Sequence, residues 1–144
     1  MSLLNRAVFD ASALISAVLQ PAYVPRQALM AAFDSHTLFV SPRTFDGLEK
    51  VLHRPEFDAY ASTAERATFF AKYKQETMLL APDAQSKQMA EGACRDAKDR
   101  KFLALAMACN AGVLVSSDDD LLSIKIWQGT QIGSPAAFLS RAVN

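Results

Sequence analysis

Acidic side chains stand directly behind two short apolar runs. Asp10 follows Ala7-Val8-Phe9, and Asp118-Asp119-Asp120 follows Val113-Leu114-Val115 with only Ser116-Ser117 between. A further pair, Asp96 and Asp99, precedes the apolar positions Phe102, Leu103, Ala106 and Met107, at a spacing that puts both acids on one helical face. Carboxylates brought within a few ångströms repel, and the pKa of at least one rises unless a cation intervenes. Mg²⁺ and Mn²⁺ are suited to that role: they favour oxygen ligands, keep several waters, and are held by a few acids plus substrate phosphate oxygens. An ion so held activates a water for in-line attack on a phosphodiester and stabilises the departing oxygen.

Each acidic group also has a plainer reading. Asp10 can simply cap a helix beginning near Ala11, Asp96 and Asp99 can be an N-cap and a first-turn acid, and Asp118 to Asp120 can be a solvated turn into Leu121-Leu122. Only their joint placement points to a metal. A third possibility makes Asp10 a phosphorylated nucleophile, but phosphatases of that kind carry a second aspartate two residues later, where this chain has Ser12.

The elements that must position these acids read as α/β. Four apolar runs, Ala7-Val8-Phe9, Leu38-Phe39-Val40, Val113-Leu114-Val115 and the weaker Gln131-Ile132, look like strands buried on both faces. Helical stretches separate them, so the expected architecture is a three-layer α/β/α sandwich around a mostly parallel sheet of four to five strands. In open sheets of this kind, ligands bind at the carboxyl ends of strands, where Asp10 and Asp118 would lie. Ser41-Pro42 and Ser134-Pro135 mark two helix starts. The stretch 55–87 holds Phe57, Tyr60, Phe69, Phe70 and Tyr73 without a β-rich run and reads as two or more helices. Its aromatics, from Ala59 to Met78, are candidates for an outer face that a partner helix or a second copy would cover.

At 144 residues and 51% apolar, the chain reads as one domain, residues 1–144. Fifteen basic and fifteen acidic residues leave no net charge, so any nucleic-acid contact must be local. Arg43, Arg54, Lys98, Arg100 and Lys101 lie in or beside the acid-bearing segments as candidate phosphate contacts, although solubility accounts for each equally well. Cys94 and Cys109 match no ligand spacing and read as reduced, buried thiols; His36 and His53 read as surface or interface residues, and Trp127 as packed near the last strand. No export signal or membrane-spanning run is apparent, which gives a cytoplasmic expectation.

At these residues the sequence resembles the PIN-domain family, in the branch of toxin components of toxin–antitoxin systems. Five blocks carry the resemblance: Val8-Phe9-Asp10-Ala11-Ser12 with Leu14-Ile15-Ser16-Ala17; Val51-Leu52-His53-Arg54-Pro55-Glu56-Phe57-Asp58; Cys94-Arg95-Asp96-Ala97-Lys98-Asp99-Arg100-Lys101-Phe102-Leu103; Val115-Ser116-Ser117-Asp118-Asp119-Asp120-Leu121-Leu122; and Ser134-Pro135-Ala136-Ala137-Phe138-Leu139. The resemblance implies an endoribonuclease dependent on Mg²⁺ or Mn²⁺, with metal acids carried onto Asp10, Asp99 and Asp118 and with Ser12, Asp96 and Asp120 in support. It also implies a cognate antitoxin and frequent dimers.

One position departs from the family. Its glutamate four residues ahead of Val51 is Gly47 here, and a glycine inside a helix costs about 1 kcal/mol relative to alanine. Asp46 and Glu49, roughly 100° and 200° around the helix from residue 47, are candidate replacements or ordinary solvated acids. Gly47 therefore separates two functions: a ribonuclease, and a weakened module that binds RNA or an antitoxin without efficient cleavage.

Overall fold

The structure is a computed structural model describing residues 5–94 and 96–142; Arg95, quoted above, lies outside the described residues. In chain order the elements are β1 (Arg6–Phe9), α1 (Ala11–Leu19), α2 (Val24–Ser35), β2 (Thr37–Val40), α3 (Pro42–Leu52), a 3₁₀ turn (Pro55–Phe57), α4 (Thr63–Glu76), β3 (Met78–Leu79), α5 (Ala84–Glu91), α6 (Ala97–Ala108), β4 (Val113–Val115), α7 (Asp119–Leu122), β5 (Ile126–Trp127), β6 (Thr130–Gly133) and α8 (Pro135–Ala142). The strands lie side by side in the order β3-β2-β1-β4-β6-β5. All neighbours pair parallel except β5 on β6.

The sheet thus has six strands rather than the four to five expected. The extra ones are the two-residue strands β3 and β5, too short to show an alternation or an apolar run. β3 falls inside the stretch 55–87 that reads as helical, and its place is fixed by long-range pairing: Phe39 with Met78, Val40 with Leu79, and Leu80 N–H donating to the Val40 carbonyl at 2.8 Å. Met78 and Leu79 are exposed on this edge.

Successive residues of a strand point to opposite faces, and each face has its own core. Phe9 and Val115 join Leu14, Leu29, Leu48, Leu52, Tyr73 and Phe138 on one side. Val8 and Leu114 join Phe102, Leu103, Leu105, Leu121 and Ile132 on the other. Both proline-marked helix starts are present: Ser41 and Thr44 cap each other reciprocally, and the Ser134 hydroxyl accepts from Ala137 N–H at 3.1 Å.

The aromatics of α4 turn inward, contrary to the outer face expected of them. Phe69 and Phe70 pack against the first core, Phe70 stacking on Phe45 at 4.4 Å, and Tyr73 is fully buried; Tyr60, before the helix, is the exposed one. Charged neighbours at every turn obscure this face in the sequence. The Tyr73 hydroxyl has no hydrogen-bond partner among the described residues, and burial, with Asp10 nearby, pushes its phenol above the usual range. An orphaned buried hydroxyl costs about 1–3 kcal/mol. Tyr73→Phe is therefore expected to leave stability unchanged or raise it by about 1 kcal/mol in urea unfolding. A clear loss would show that the hydroxyl is satisfied.

Candidate metal centre

From β1 the sheet grows in both directions, through β2 on one side and β4 on the other. The adjacent parallel strands β1 and β4 end side by side, at the edge where open sheets form their ligand crevice, and the acids of the first and fourth sequence blocks follow them there. Asp10 is the N-cap of α1, and Asp118 is the N-cap of α7.

Two serines tie the strand ends together. Asp10 Oδ1 accepts from Ser12 Oγ at 2.7 Å and Ala13 N–H at 2.9 Å, while Oδ2 accepts from Ser116 Oγ at 2.5 Å. The same hydroxyls accept backbone N–H groups of the β4–α7 turn, Ser12 from Ser117 at 3.0 Å and Ser116 from Asp118 at 2.9 Å. The turn bearing Asp118 is thereby locked to the carboxylate of Asp10. Asp10 is 2% exposed, and burial lifts its pKa despite three hydrogen bonds that favour the charged form.

The third acidic segment completes the cluster. Asp96 caps α6 by accepting from Lys98 N–H at 2.9 Å, and Asp99 follows in the first turn. One carboxylate oxygen from each of Asp96, Asp99 and Asp120 lies within 4.8 Å of the others. Asp99 also links to the inner acids: burial first, then a hydrogen bond and repulsion from Asp118, push its carboxyl up to about 7. Repulsion from Asp96 and Asp10 adds smaller contributions to the same rise.

The plain capping readings hold for Asp10 and Asp96, Asp118 caps a short helix where a solvated turn was the plainer expectation, and all three roles coexist with convergence on one crevice. A capping carboxylate keeps free lone pairs, so the two roles do not compete. Among the described residues the ion pairs are Arg54–Glu56 and Arg66–Asp58, and neither neutralises these acids. Crowded carboxylates that no ion pair among the described residues neutralises form a donor set that fits a hard divalent ion.

Other sequence candidates are placed differently. Asp46 and Glu49 are exposed on α3, outside the group of three. A Cβ added at Gly47 would stand 2.5 Å from Lys101 Nζ. Lys98 and Arg43 are exposed, Arg100 donates to the Cys94 carbonyl at 3.1 Å, and Arg54 pairs with Glu56 at 3.8 Å. Both cysteines are free and buried. Cys94, a buried thiol as expected, abuts the site, its Sγ 3.9 Å from Asp99 Oδ2. Ser116 was also missed as a site residue; the hint was a hydroxyl between the strand and its acids. His36 is half-buried with its ring 5.2 Å from Phe138, and Trp127 donates to the Leu103 carbonyl at 2.9 Å.

A mostly parallel sheet with acids gathered at the carboxyl ends of two neighbouring strands defines a class of α/β proteins with an acidic crevice. The PIN domain model matches residues 6–120, and the chain belongs to the PIN-domain family. No curated protein matches it. Among solved structures it is similar to VapBC2 from Rickettsia felis bound to a DNA fragment from their promoter, at 12% identity and a TM-score of 0.64, covering 90% of this chain and 98% of that one. It is also similar to PAE2754 from Pyrobaculum aerophilum, at 16% identity and a TM-score of 0.65, covering 96% and 89%. At these identities the likeness is one of fold. No helix among the described residues is long and apolar enough to cross a membrane.

Proposed function

We propose that this chain is a metal-dependent endoribonuclease of the PIN toxin type, in which Asp10, Asp99 and Asp118 hold Mg²⁺ or Mn²⁺ with Asp96, Asp120 and Ser12 in support. The observation that carries this reading is Asp99, whose carboxyl is raised to about 7 within an acidic cluster that no ion pair among the described residues neutralises. The bound ion would supply a polarised water and a clamp on phosphate oxygens. The chain's own part is positional. Asp99, protonated in the metal-free protein, would release its proton to solvent as the ion binds, while Ser12 and Ser116 hold Asp10 and the β4–α7 turn in register. The neighbour VapBC2 supports an antitoxin as partner.

Purified protein is expected to cleave single-stranded RNA with Mn²⁺ and to stop in EDTA. Asp118→Asn should lower the rate at least ~100-fold, about 3 kcal/mol of transition-state stabilisation. Cleavage indifferent to both changes would defeat the proposal. Intact RNA across Mg²⁺ and Mn²⁺ would favour the second reading, a binding module without efficient cleavage. Its support is residue 47, where Lys101 takes the space next to a glycine instead of an added carboxylate.

A further inference from the structure

Beside the acids lies a cluster of opposite charge. Two adjoining hollows of about 140 and 270 Å³ run between the start of α3, α5 and α6, and both are lined by Arg43, Lys87 and Lys101. Arg100 lines the larger one, where Glu91 is the lone acid. Lys101 is half-buried, and its ammonium sits against the backbone of α3 at Gly47, where even a methyl group would collide with it at 2.5 Å. It feels Arg43, Lys98 and Lys50 as like charges and Asp99 as the opposite one, which places it at the border between the basic groove and the acidic crevice. None of these cations is in an ion pair among the described residues.

A row of cations without an ion pair among the described residues, beside a metal-fitting acid cluster, is complementary to an extended chain of phosphates. We infer that Arg43, Lys87, Arg100 and Lys101 form a track for the phosphodiester backbone of a single RNA strand, with Gly47 as the seat that holds Lys101 where the strand meets the acids. This deepens the ribonuclease reading and rests on it. Lys87, on α5, enters as an additional contact, and glycine at position 47 leaves open the space that the Lys101 ammonium takes.

The test is fluorescence polarisation of a short fluorescein-labelled single-stranded RNA in EDTA, across a salt series. Lys87→Ala and Lys101→Ala should each weaken binding by about 3–10-fold and flatten the log–log salt dependence by about 0.7. Gly47→Ala, which displaces the ammonium without removing a charge, should weaken binding while circular dichroism stays unchanged. Lys72→Ala, on the exposed side of α4, should bind as wild type. Equal affinity for all variants would overturn the track. So would binding of a polyglutamate peptide, but not RNA, in a manner sensitive to Lys87, since the groove would then be built for an acidic protein segment. A Mn²⁺ cleavage assay separates the two levels. Cleavage unaffected by the groove variants removes the track and leaves the ribonuclease; RNA binding through the groove without cleavage under any metal does the reverse.

Discussion

Asp99→Asn will abolish Mn²⁺ binding and, at the same time, make the metal-free protein more heat-resistant at pH 8. Both effects follow from one crowded carboxyl. Its folded-state pKa is about 7, against an ordinary 3.8, because burial and Asp118 disfavour the charge. Between about pH 4 and pH 7 the folded protein therefore holds a proton that the unfolded chain has released, and metal-free stability falls as pH rises through that window. Above about pH 7 the penalty is fully present. Asparagine carries no charge at any pH, so the variant should lose this dependence and gain about 3–6 °C at pH 8. Mn²⁺ replaces the same proton in the wild type, so its affinity should drop as pH falls below about 7, and bound metal should restore the lost stability by mass action. The variant's Mn²⁺ affinity should fall more than ~100-fold. Calorimetric titration at pH 6 and pH 8, with melting curves alongside, reads all of this. Unaltered Mn²⁺ affinity in the variant would remove Asp99 from the metal site and with it the proposed chemistry.

The acids were legible in the sequence because their positions are dictated by backbone geometry. A residue immediately after a buried strand has little choice of place, so Asp10 and Asp118 behind their apolar runs already implied a shared crevice. The capping role of Asp96 was equally local. What escaped detection depends on contacts between distant segments. β3 is two residues long and exists only through β2, the inward turn of Phe69, Phe70 and Tyr73 depends on α3 and the sheet, and the Ser116–Asp10 bond spans 106 positions. Gly47 is the most instructive case. Read along the chain, it is a missing acid; in three dimensions it is the room taken by Lys101.

The second sequence block owes its form to a clamp, and Arg66→Ala is expected to expose it by costing about 3 kcal/mol of stability. Arg66 is 3% exposed on α4, yet it is a charged residue surrounded by carbonyls. Its guanidinium donates to the carbonyls of Leu52 at 2.7 Å, Arg54 at 3.1 Å and Ser62 at 3.4 Å, and it pairs with Asp58. Leu52 ends α3, and its orphan carbonyl has to be satisfied by something outside the helix. Alanine leaves that carbonyl buried and unpaired beside a void. Lysine should not rescue it, because one ammonium cannot reproduce the forked set of donors. Asp58→Ala should cost less than about 1 kcal/mol, since the Asp58 side chain is largely exposed and water screens the pair. The difference between the two partners is what a carbonyl clamp predicts and an ion pair does not. Thermal melts should place Arg66→Ala roughly 10 °C below wild type, while its Mn²⁺ affinity, measured well below the transition, stays intact. Equal losses for the two variants would mean that the charge pair, rather than the end of α3, holds the Arg54–Asp58 turn in place.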